Sequence, residues 1–206
     1  MRRLLEQRNK KGEGFPPPFL KLKGGDGLNI LAIDQARNGA WSVFDYEDGR
    51  LLDYGVFSYD AAHYTYSQAI LAIEELMDGL IKDHNVDAVF IEDIQFRTNI
   101  NTLKKLAHLQ GVLINLCERN HYLYGLVAPS QWQNFCRSYD VGMDSRPVRG
   151  NEDRKKSKQM SIQFVSDVLN IETGNDNLAD AICIGWYVVK AVEIDPSKGI
   201  VKKKAI

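Results

Sequence analysis

The apolar positions of this chain follow two periods, and the changes between them predict its elements. Leu28-Asn29-Ile30-Leu31-Ala32-Ile33 is a short, nearly continuous apolar run closed by Asp34, the pattern of a buried strand over 28–34. Residues 40–46 and 50–58 read as two more strands about a tight turn at Glu47-Asp48-Gly49, with aromatics and Val interleaved. Ile70, Ile73, Leu76, Met77, Leu80 and Ile81 then recur at three and four residues, which predicts a helix over 66–83. A fourth strand over 86–92 closes on Glu92, and a helix over 102–120 carries the stripe Leu103, Leu106, Leu109, Gln110, Leu113 and Leu116. A fifth strand, 122–128, leads into a helix over 129–138, with Pro129 suited to its first turn. Residues 139–155 read as a mobile polar loop. A helix over 156–169 follows, and a last, strongly apolar helix runs from about 177 to 193. This order predicts an α/β domain with antiparallel first strands and later strands joined in parallel through helices.

Composition adds boundaries. A chain of 206 residues suits one domain with a sizeable core. Residues 1–27 read as a basic tail containing Pro and Gly, interrupted by Pro16-Pro17-Pro18, and 195–206 as a basic C-terminal tail. The domain is expected over 28–194. The net charge of −1 hides segregation, because Arg146, Arg149, Arg154, Lys155, Lys156 and Lys158 form one basic run. Such runs are most often solvated faces. The three cysteines are far apart and lack metal-ligand spacing, and no secretory pattern follows Met1, so a reducing cytoplasmic compartment is expected, with an organelle left open. Cys117 and Cys183 sit in apolar helical patterns and read as small buried hydrophobes. No stretch has transmembrane length.

Chemistry enters through three acids. Asp34 and Glu92 each end a buried strand, and Asp180 lies where the last helix begins. A carboxylate at a buried strand tip is unfavourable unless solvated, paired or bound to a cation. In an open α/β sheet, ligands gather beyond the carboxyl ends of the strands. Three acids meeting there would repel one another, and hard oxygen donors suit magnesium. Two such ions could activate water and stabilise the leaving oxygen in a phosphodiester displacement. Taken singly, each acid is as readily a turn or cap residue; Asp93 reads that way, and Asp176 and Asn177 are plausible N-caps.

At these residues the chain resembles the RuvC family of Holliday-junction resolvases, within the RNase H-like fold. The resemblance rests on Ile30-Leu31-Ala32-Ile33-Asp34, Phe90-Ile91-Glu92-Asp93-Ile94-Gln95 and Asn177-Leu178-Ala179-Asp180-Ala181. Leu109-Gln110-Gly111 and Val127-Ala128-Pro129-Ser130-Gln131-Trp132 agree with the family's order, and the similarity extends over about 28–190. It implies a five-stranded mixed sheet, first three strands antiparallel and later ones parallel, flanked by helices. The acid on strand four is Glu, as in RuvC; RNase H enzymes place Asp there. Transposase and integrase relatives would need Glu where this chain has Asp180, and actin-like ATPases need a Gly-rich loop that 34–39 does not supply.

The resemblance implies a homodimeric endonuclease that cleaves four-way DNA junctions with two Mg²⁺ ions, Mn²⁺ substituting. Asp34, Glu92 and Asp180 would be metal ligands. The family's fourth ligand position is Asn177 here, a neutral donor, with Asp176 as its neighbour. Lys158, with Lys155 and Lys156 beside it, would act near the scissile phosphate. Arg146, Arg149 and Arg154 would contact DNA phosphates, giving salt-dependent binding. Phe96 and Arg97 would stack at the junction centre, although Phe96 is equally suited to a core. The dimer would form through helix 102–120, whose Leu stripe alone is also explained as core. Alternatives are another RNase H-like nuclease, acting on RNA–DNA hybrids or replication forks, and a branched-DNA-binding protein weakened in catalysis, with Asn177 as the sign.

Overall fold

The computed structural model describes residues 27–95, 99–139, 151–195 and 199–203. Three strands come first, β1 (Asn29–Asp34), β2 (Asn38–Asp45) and β3 (Leu51–Ser58), followed by α1 (Tyr66–Asp83) and β4 (Val86–Glu92). Next are α2 (Ile100–Asn120), β5 (Leu123–Val127), α3 (Pro129–Tyr139), α4 (Asn151–Leu169) and α5 (Asp176–Ala191). The chain closes on β6 (Val192–Asp195) and β7 (Gly199–Lys203). The main sheet has five strands in the order β3-β2-β1-β4-β5. Its first three are antiparallel, while β4 pairs in parallel with both β1 and β5, as the sequence predicts.

Alternation divides the core into two layers, because successive strand residues face opposite sides of a sheet. Leu31, Ile33, Val43, Val89 and Ile91 pack against Ile73 and Met77 of α1 and Leu109 and Leu113 of α2. Ile30, Ala32, Phe44, Ala88 and Phe90 pack against Trp132 of α3, Phe164 of α4 and Ile182 of α5. The central strand β1 is covered on both faces, which is why its sequence is almost unbroken apolar.

Local chemistry fixes the joints. At the 47–49 turn the Glu47 and Asp48 amides donate to Asp45 Oδ1, each at 3.1 Å, and Gly49 takes the φ of +71° that closes it. Thr65 and Gln68 form a capping box on α1. Asn99 caps α2, which extends that helix to residue 100. All three cysteines are buried, and burial pushes the Cys117 thiol up to about 12.

The structure departs from the expected boundaries at two places. The helix expected from residue 156 begins at Asn151, inside the expected loop. Its first turns are rich in Glu, Arg and Lys, which favour helix without the apolar period that reveals one. The last helix stops at Ala191 rather than 193, and 192–195 pair with 199–203 as a hairpin where a tail was expected. Tyr46 Oη donates to Val192 O at 2.7 Å, and Ile200 sits over Gly125 of β5, so tertiary contacts hold the hairpin.

Candidate active site

The parallel pairing of β1 with β4 puts Ile33 beside Ile91, so the next residues, Asp34 and Glu92, end adjacent central strands. Asp34 shares parity with Ile30 and Ala32, and Glu92 with Ala88 and Phe90. Both acids therefore point to the layer of α3, α4 and α5.

Helix α5 brings the third acid. Its Gly185 approaches β2 so closely that an added Cβ would lie 2.5 Å from the Phe44 ring and 2.9 Å from Ser42 Oγ. The fully buried Ser42 hydroxyl donates to Ala181 O at 2.8 Å. These contacts seat the start of α5, and Asp180 with it, over the strand tips. Asn175, rather than Asp176 or Asn177, caps the helix, its side chain accepting from Leu178 N at 3.1 Å. That frees Asp176 to occupy the first turn, where the helix dipole favours an acid. Asn177 Nδ2 donates to Asn38 O at 2.9 Å, so its carbonyl oxygen is the donor it could offer a cation. At the same turn Gly39 lets β2 pass close to the tip of β1, since a Cβ there would lie 2.5 Å from Asp34 O.

Asp34 is only 7% exposed. Burial holds its carboxyl well above the usual carboxylate range. Repulsion from Glu92 and then Asp180 adds to this, followed by a hydrogen bond with Glu92 and repulsion from Asp176. Every charge raising it is negative. Asp34 and Glu92 are thus close enough to share a proton, whereas Asp180 and Asp176 act on Asp34 through charge alone. Among the described residues, no three His, Cys, Asp or Glu side chains stand in a group ready to hold a metal ion.

The donor set fits a hard divalent cation. All its atoms are oxygens, and among the described residues the charges acting on Asp34 are acidic. The loop arginine after β1, Arg37, is turned away, donating to Tyr59 O at 2.6 Å and lying 3.7 Å from Asp60.

Around Glu92 lies a set of neutral donors that sequence reading did not single out. Trp132 Nε1 donates to Glu92 Oε1 at 3.0 Å. Gln35 Nε2 donates to Glu92 O at 2.8 Å and lies 3.2 Å from Gln110 Oε1. Gln110 Nε2 donates to Asp93 Oδ1 at 3.2 Å, which accounts for Asp93 structurally. Gln110 interrupting a Leu stripe was a readable signal, because a polar residue on a core face needs partners. Gln35 and Trp132 carried none.

The remaining expected site residues are not brought into this picture. Phe96, Arg97, Arg146 and Arg149 lie outside the described residues. Arg154, Lys155, Lys156 and Lys158 fall in the first turns of α4, where the backbone alone is described.

No family model matches the chain. It is 25% identical over 158 residues to the crossover junction endodeoxyribonuclease RuvC of Clostridioides difficile, covering 75% of this chain and 86% of that protein. To the RuvC of Wolinella succinogenes it is 33% identical over 90 residues, 42% of this chain and about half (54%) of that one. The structure of Thermus thermophilus RuvC in complex with a Holliday junction substrate superposes with a TM-score of 0.59 at 14% identity, over 78% of this chain and 92% of that one. In fold and in sequence, then, this chain is RuvC-like.

Proposed function

We propose that the protein is a divalent-metal-dependent endonuclease that cleaves four-way DNA junctions or closely related branched DNA. The observation that carries this reading is the buried Asp34 beside half-buried Glu92 on adjacent strand tips, with the charge of Asp180 and Asp176 acting on Asp34. The similarity to proteins named as crossover junction endodeoxyribonucleases supports the substrate class.

Asp34, Glu92 and Asp180 would hold the metal, with Asn177 or Asp176 completing the set; two Mg²⁺ ions are proposed, with Mn²⁺ able to replace them. When bound, the metal supplies Lewis-acid stabilisation of charge on the phosphate. Asp34, raised by burial and by its acidic neighbours, would be favoured in its ionised form by a bound cation. Water attacks phosphorus and the 3′-oxygen leaves, giving a 5′-phosphate and a 3′-hydroxyl. Lys158 is proposed to act near the scissile phosphate, and Arg146, Arg149, Arg154, Lys155 and Lys156 to bind neighbouring phosphates. Phe96 and Arg97, just past Glu92, are proposed to stack on unpaired bases. A twofold dimer through α2 would present two sites to one junction. In support, the α2 surface is open at Gly111, where an added Cβ meets nothing within 4 Å. Among the described residues no helix is long and apolar enough to cross a membrane, in keeping with a protein that works on DNA in the cytoplasm.

Incubation with a synthetic four-way junction, a linear duplex and an RNA–DNA hybrid in Mg²⁺ tests the reading. Paired, symmetric nicks in the junction alone are expected. Cleavage of the hybrid instead points to a different RNase H-like nuclease, and tight junction binding without cleavage to a binding protein.

A further inference from the structure

We infer that Trp132 and Gln35 are positioning residues for Glu92, one fixing its carboxylate and the other its peptide carbonyl. The inference rests on the nuclease reading above for its effect on rate, and on geometry for the rest.

Glu92 is the last residue of β4, and the β1–β4 ladder runs out at Ile33 and Ile91. On the other side the strand is secured, since Glu92 pairs with Val127 and Asp93 N donates to Val127 O at 2.8 Å. On the β1 side the register ends at Ile33 and Ile91, one place short of Glu92. Gln35 Nε2 takes that place, so a side chain continues the ladder one step past the end of β1. The amide is 4% exposed, and its Oε1 is buried without a partner. A buried orphan oxygen is destabilising, and an apolar side chain of the same length would avoid it. Its presence at the strand tip points to the donor, which only the amide provides.

Trp132 acts on the other end of the residue. It is 1% exposed and locked in the core of α3, and an indole can donate but not accept. The N–H therefore stands at a fixed point and holds Oε1 of the Glu92 carboxylate. Asp34 meets that carboxylate in this one orientation. Gln110 links Gln35 to Asp93 and carries the network into α2. Outer hydrogen bonds of this type orient metal-binding carboxylates and strengthen their affinity.

The test uses the full-length protein. Trp132→Phe deletes the N–H and keeps an aromatic ring; benzothienylalanine at 132 deletes it and keeps the shape, which covers the case of poor folding. Both are expected to lower kcat on a four-way junction about 10- to 100-fold with KM unchanged, and to weaken calcium binding, measured by calorimetry without DNA, by about the same factor. Gln35→Met is expected to lower kcat several-fold while leaving Tm equal or higher, a pairing a purely structural role would not give. In the wild type, the Trp132 indole ¹H–¹⁵N resonance is expected to shift on Glu92→Ala. Wild-type kcat and calcium affinity in both position-132 variants, or an indole resonance indifferent to Glu92, overturns the inference. A wild type that cuts no DNA overturns the nuclease reading instead, and the indole resonance still decides this one.

Discussion

The two faces of the sheet bury polar groups in opposite ways. On the α2 side Gln35 and Gln110 are neutral, almost fully buried and joined by hydrogen bonds to one another, to Glu92 O and to Asp93. On the α5 side Asp34 is just as buried, yet its neighbours are Glu92, Asp180 and Asp176, all of its own sign. The amide face joins its polar groups to one another by hydrogen bonds, whereas the acidic face gathers charges of one sign.

The largest expected effect comes from neutralising that charge. Asp34→Asn should reduce junction cleavage about 10³-fold or more. In chelator it should also raise thermal stability by about 1 kcal/mol, a gain of about 2–4 °C read by calorimetry. A variant that cuts normally would remove the distinction between the faces.

Next comes the seat of α5. Gly185→Ala forces a methyl onto the Phe44 ring and should cost about 1–3 kcal/mol, with activity falling as Asp180 moves. Thermal melts and junction cleavage measure the two effects.

The acidic face should also make stability depend on pH. Asp34 binds its proton more tightly folded than unfolded, because burial raises its folded value. Its protonated form is therefore favourable to folding at low pH, and that advantage is lost as pH rises from the unfolded value near about 4 through the raised folded one. Denaturant melts in chelator should show stability declining over that window. Excess Mg²⁺ should flatten the decline, because a cation replaces the proton as counter-charge.

On the amide face the changes are smaller. Gln110→Leu removes the hydrogen bonds to Gln35 and to Asp93 and should cost about 1–2 kcal/mol in chelator, read from denaturant melts. Smallest is Arg119→Ala. It breaks an ion pair of 2.6 Å with Glu74 between α1 and α2, but Arg119 is half-exposed, so a change within about 0.5 kcal/mol is expected.

Much of this architecture was readable because its causes are local. Buried strands show themselves as apolar runs, and an acid closing such a run stands out, as Asp34 and Glu92 do. The start of α4 and the β6–β7 hairpin were not readable. A polar helix start lacks periodicity, and short strands held by Tyr46 Oη and the packing of Ile200 depend on residues far away in the chain. Trp132 shows the same limit, since its 40-residue separation from Glu92 leaves no pattern in the chain.

By itself, then, the sequence determined the order of elements, the mixed sheet and the acids at two strand tips and one helix start, since these follow from periods of 2.0 and 3.6 and from the unfavourable burial of charge. Only the tertiary structure decided that Asp34 and Glu92 sit close enough to share a hydrogen bond, that Asn175 is the cap, and that an indole and an amide hold Glu92. Those are distances between elements, set by parallel register and by the close approach of α5 to β2 that Gly185 allows.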